Sequence, residues 1–156
     1  MDGLLLTYAR IVINVVFLVF DVMGIKTAVS SCVESYLLKR VYDFLRMNPK
    51  TRTAIETFIS EFKAAYEEKD KWKMAKAIVK LIMALQAFGL LWMIIESMVF
   101  KMSKWDRLMT GVGMSLTVTA MLTTGGLALV AQIASVVLTA KSLFDLIKGV
   151  FKLLKP

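Results

Sequence analysis

The chain has 156 residues, of which 58% are hydrophobic and 21% charged, with a formal net charge of +8 and a mean hydropathy of +0.67. With no His and one Cys, Cys32, it lacks the ligands of a usual zinc site, a Cys–His nucleophile, a Ser–His–Asp triad and an internal disulfide framework. Soluble domains usually carry about 45–50% apolar residues, and Gly and Pro are too few here for a turn-rich β fold, so an all-α integral membrane protein is expected.

Taken in chain order, the first expected span covers about residues 4–25, apolar apart from Arg10, Asn14 and Asp21. A bilayer-crossing helix needs about 20 mostly apolar residues. Arg10 lies inside the apolar stretch, and no A-x-A-like exit follows it, so the segment reads as a retained helix rather than a cleaved signal peptide. A buried core helix of a soluble bundle is the alternative.

Residues 27–80 hold most of the charge. Val29, Val33, Tyr36, Leu37, Val41, Phe44 and Leu45 fall three to four apart, as one face of a helix. Asn48-Pro49 then ends one helix near Met47 and starts another at Pro49. Ile55, Phe58, Ile59, Phe62 and Tyr66 share a face of the second. The two are expected to form an α-hairpin outside the membrane, packed on itself or on neighbouring subunits.

A second span is expected over 81–100, where Glu96 is the only charge. The third lies within the uncharged run between Arg107 and Lys141, at about 111–139. Gly125-Gly126 sits at its centre and would divide it into two short passes; one long tilted helix is the simpler expectation. Residues 141–155 form an amphipathic basic helix, suited either to the lipid headgroup plane or to docking on the hairpin.

Crossing at all three spans puts residues 26–80 and 141–156 on one side, with twelve and four basic residues. The positive-inside rule then makes the hairpin and C-terminus cytosolic. Trp105 and Tyr8 would mark the far interface and Trp72 the cytosolic one.

Polar residues inside spans are functional candidates by default. Arg10 and Glu96 either pair, with Asn14 one turn deeper than Arg10, or Glu96 joins a carboxylate ring that attracts cations. In the third span Asp106, Thr110, Thr117, Thr124, Ala128, Gln132, Ser135 and Thr139 share one face, with a second row at Ser115, Thr119 and Thr123. Such hydroxyls either let helices approach closely or line a pore, where they replace part of an ion's hydration. A ring of copies would then present Thr110, Thr117, Thr124, Gln132 and Ser135 to the path, with Asp106 as a negative mouth. Ser103 to Asp106 also fits a capping box.

There is no P-loop, and Gly111-Val112-Gly113 is no dinucleotide fingerprint. Glu67-Glu68 sits in a solvated charge run, and the basic residues flank apolar spans, so anionic lipid rather than nucleic acid is the expected partner. No enzymatic constellation and no cofactor are indicated, and no span carries the regular Arg or Lys series of a voltage sensor.

In length, helical spans, the charged segment between Lys26 and Lys80 and the lack of an enzymatic motif, the whole chain resembles the WeiTsing-like small cation channels of the plant endoplasmic reticulum. The resemblance implies a pentameric, calcium-permeable channel in plant defence, and carries over no individual pore residue. The sequence therefore leads to a homo-oligomeric cation channel, with Asp106 and Glu96 concentrating cations. A structural subunit of a larger membrane complex and a membrane-inserting pore-forming effector are the rival readings.

Overall fold

Asp2 starts the first helix: its carboxylate accepts from the backbone N–H groups of Leu4 and Leu5, satisfying donors that a helix N-terminus leaves open. A computed structural model describes residues 2–25, 31–100, 103–123 and 126–154. Within them the chain is helical throughout: α1 (Gly3–Val22), α2 (Ser31–Met47), α3 (Pro49–Glu67), α4 (Lys71–Ala87), α5 (Leu90–Val99), α6 (Lys104–Thr123), α7 (Leu127–Val136), a 3-10 turn at Val137–Thr139, and α8 (Lys141–Leu154).

Among the described residues α1 is the one helix by itself long and apolar enough to cross a membrane, with a mean hydropathy of 2.1. It is also the axis of the bundle. Ala9, Ile11, Val12, Val15 and Val16 are fully buried, and α2 and α8 lie along it while α3, α4 and α7 touch it. Tyr8, expected at a membrane interface, is buried as well; its ring belongs to the packed face of α1.

The charged segment does not close on itself as a hairpin beyond the end of α1. α2 returns antiparallel along α1, so that Asp2 N–H donates to the Tyr42 hydroxyl at 2.9 Å, forty residues away. α2 and α3 part at Asn48, as the sequence signals, but Asn48 Nδ2 donates back to the Phe44 carbonyl at 2.7 Å and so closes α2 rather than capping α3. The hairpin that does form joins α3 to α4 through Glu68–Asp70, with Asp70 accepting from Lys73 N–H. Each amphipathic stripe seeks the more apolar neighbour available: α2 takes α1 and α5, and α3 takes α4.

Neither of the later spans is one helix. Residues 81–100 are divided at Phe88-Gly89, where α4 and α5 meet at 83°. Gly89 has φ +80, a left-handed conformation that costs little only for Gly. The bend turns Leu90, Leu91, Ile94 and Ile95 into the core, all 3% exposed or less. The helix expected over 111–139 is likewise interrupted, by Gly126 at φ +70. A Cβ there would sit 2.7 Å from Val79 Cγ1. Gly126 thus both breaks the helix and lets the start of α7 press onto α4. α7 and its 3-10 turn meet α8 at 77°. If each bent pair at Gly89 and Ala140 counts as one span, the candidate spans number three; α6 is not among them.

α8 docks rather than standing apart. Leu143, Ile147 and Val150 are buried, and Phe144 stacks on Phe62 and Tyr66 of α3 at ring-centroid distances of 5.5 and 4.8 Å. Lys63 Nζ lies 4.0 Å over the Phe151 ring.

Candidate functional site

Two regions gather the polar residues that stand out in the sequence. The first is α6, which Ser103 and Asp106 begin as a capping pair: the Ser103 hydroxyl donates to Asp106 Oδ2 at 2.8 Å and accepts from Asp106 N–H at 3.3 Å. α6 has three faces, set by 100° per residue. Gly111, Met114, Val118 and Leu122 are buried, on the side that packs against α5. Leu108, Met109, Val112 and Leu116 form an uncovered apolar face, from 41% to 65% exposed. Asp106, Gly113, Thr117 and Ala120 are exposed on a third face.

Thr110 is half-buried at the edge of that third face. Thr117 donates its hydroxyl to the Gly113 carbonyl at 2.9 Å, the i−4 bond that a hydroxyl makes on an uncharged helix. In the second row Ser115 turns to the packed side, with its Oγ buried and unpartnered, whereas Thr119 and Thr123 are exposed. Gln132 and Ser135 are exposed on α7, and Ser135 donates to the Gln132 carbonyl at 2.6 Å. Thr124 lies outside the described residues. The stripe read from the sequence is therefore shared between two helices, because Gly126 interrupts the rotation that a single helix would maintain.

Apolar exposure continues beyond α6. Trp92 on α5, Trp105 at the start of α6 and Leu127 on α7 are 52%, 69% and 62% exposed. Where such side chains lie side by side, as on the apolar face of α6, they suit a protein or membrane contact.

The second region is a cleft of about 390 Å3 between α1, α2 and α8, lined by Arg10, Asn14, Glu34, Ser142 and Asp145 with Ile13, Leu38 and Leu146. Asn14 is fixed there: its Nδ2 donates to the Arg10 carbonyl at 2.9 Å and its Oδ1 accepts from the Ser142 hydroxyl at 2.9 Å. Glu34 and Asp145 went unremarked as site candidates in the sequence, because each sits on the polar side of an amphipathic helix and reads as a solvated charge.

The chain matches no family model, no curated protein and no solved structure. Residue chemistry alone thus bears on function.

Arg10 and Glu96 are not brought together. Glu96 Oε1 faces Arg40 Nη1 of α2 at 4.0 Å instead. Arg40 also donates to the hydroxyl of Ser97 at 3.1 Å, and that hydroxyl donates to the Met93 carbonyl at 2.7 Å. The sequence concealed this pairing, since Arg40 lies in the charged segment expected to stand apart from the spans. Among the described residues, no three Asp, Glu or Cys side chains converge on a point where a metal ion could sit.

Proposed function

We propose that the chain is the subunit of a homo-oligomeric, cation-conducting membrane channel. The observation that carries this reading is the three-faced α6. One face is spent on α5; the uncovered apolar face suits lipid, and the face bearing Asp106 and Thr117 suits an aqueous path shared between copies. In this reading α5, α6 and α7 meet the bilayer, and the charged faces of α2, α3 and α8 lie on the cytosolic side by the positive-inside rule. A ring of Asp106 carboxylates at the mouth raises the local cation concentration, while Thr110, Thr117, Gln132 and Ser135 replace part of the hydration shell along the way. Glu96 contributes less than Asp106, being held toward Arg40. Pentameric assembly, calcium permeability, the endoplasmic reticulum and plant defence are the finer terms of the proposal, supported by likeness of layout alone. No enzymatic role belongs to it.

The experiment is planar-bilayer recording of the purified protein under cation and anion gradients. Discrete cation-selective steps, with selectivity reduced by Asp106→Asn, are the expected result. Silence from folded, inserted protein overturns the proposal.

A second reading draws on the sheathing of α1. Among the described residues α1 is the one unbroken helix long and apolar enough to span a bilayer, yet 56% of that window is buried, largely against the amphipathic helices α2 and α8. A pore-forming effector that unsheathes α1 on contact with a bilayer would be stored in such a form. It predicts that protein made without membranes stays soluble and later permeabilises vesicles. Recovery of that protein solely as aggregate removes this second reading.

A further inference from the structure

The cleft between α1, α2 and α8 has a charge pattern that neither reading uses. One guanidinium, Arg10, and two carboxylates, Glu34 and Asp145, line the same space. Among the described residues, none of the three forms an ion pair within 4.0 Å. All three residues are exposed to the open cleft, and opposite charges that line one space without pairing are complementary to a ligand that carries both signs. Ile13, Leu38 and Leu146 supply apolar wall beside them. Asn14 is a positioning residue: by holding Ser142, it fixes the first turn of α8 and with it Asp145, three residues on.

We propose that this cleft binds a phosphoethanolamine zwitterion, the headgroup of an ethanolamine phospholipid. Arg10 presents a planar fork of N–H donors, which suits a phosphate. Glu34 and Asp145 accept hydrogen bonds from a primary ammonium. A choline headgroup fits less well, since quaternary ammonium is recognised by aromatic faces and, among the described residues, no aromatic side chain lines the cleft. The apolar wall takes the glycerol and the first methylenes of the acyl chains. The same headgroup chemistry is offered by free phosphoethanolamine, so lipid and soluble sources are to be told apart by measurement.

The test is calorimetric titration of the whole 156-residue chain in a non-ionic detergent with short-chain phosphatidylethanolamine, phosphatidylcholine, phosphatidic acid and free phosphoethanolamine. No current is measured, so this result and the channel result stand or fall separately. Saturable binding of the ethanolamine lipid, with the choline lipid and phosphatidic acid about tenfold weaker, is expected from loss of a charged hydrogen-bond partner. Comparable binding of free phosphoethanolamine assigns the soluble source; clearly weaker binding assigns the lipid. Arg10→Gln is expected to weaken every phosphate ligand about tenfold. Glu34→Gln combined with Asp145→Asn is expected to remove the preference for ethanolamine over phosphatidic acid. Should Arg10→Gln lose its helical signal, the exposed carboxylate variants carry the test alone. Equal affinity for all three lipids, absence of binding, or a preference that survives the carboxylate variants overturns the proposal.

Discussion

Arg40 and Glu96 meet across α2 and α5, Nη1 to Oε1 at 4.0 Å, while the same Nη1 donates to the buried Ser97 hydroxyl at 3.1 Å. The contact joins the charged segment to a helix read from the sequence as part of a membrane span. The two side chains are 33% and 55% exposed, so solvent screens their attraction. A double-mutant cycle of Arg40→Ala and Glu96→Gln, read by thermal unfolding, should give a coupling below about 1 kcal/mol that shrinks with added salt. A coupling several times larger, indifferent to salt, would mean that the pair lies out of reach of water.

The two left-handed glycines differ in a way that unfolding measurements can read. Gly89→Ala meets no atom within 4 Å and should cost only the backbone penalty, about 1–2 kcal/mol. Gly126→Ala carries that penalty and also drives a methyl against Val79 Cγ1, so its loss should be distinctly greater. Adding Val79→Ala should return part of the difference. Equal losses at the two glycines would show that α7 does not press on α4 as closely as 2.7 Å implies.

Docking of α8 depends on aromatic contact. Phe144 touches both Phe62 and Tyr66, and its removal leaves a gap between α3 and α8. Phe144→Ala should destabilise by about 2–3 kcal/mol, less than a fully buried Phe because the residue is only partly buried. Limited proteolysis should then cut first at the α7–α8 junction near Ala140. An unchanged cleavage pattern would place the anchoring of α8 elsewhere.

On α6, a substitution on the hydroxyl face should be separable from one on the apolar face. Thr117→Leu is expected to lower single-channel conductance without loss of helix. Leu116→Val, on the apolar side, should leave conductance unchanged. Reversed effects would exchange the faces assigned to lipid and to water.

Much of this chain was legible before its structure. The helical class followed from composition, the break at Asn48-Pro49 from a residue pair that few helices continue through, and the capping of α6 from Ser103 and Asp106. These are local effects: hydrogen bonds and dihedral limits within one or two turns decide them. Hydropathy also identified α1, because a twenty-residue segment that is mostly apolar stays so in any setting.

Hydropathy could not say what would surround those residues. Lipid and a sheath of amphipathic helices satisfy the same side chains, and only tertiary packing placed α2 and α8 against α1. The runs 81–100 and 111–139 looked continuous for a similar reason. Gly89 and Gly126 are each compatible with a helix; what favours the left-handed turn is the apolar surface that bending brings together, Leu90 to Ile95 in one case and Val79 against α7 in the other. The pairing of Arg40 with Glu96, and the gathering of Arg10, Glu34 and Asp145 around one cleft, depend on residues distant in sequence. Helical character and the polarity of each face were thus readable from local pattern. Where the helices break and which faces meet came from packing, because burial is a property of pairs of surfaces rather than of either one.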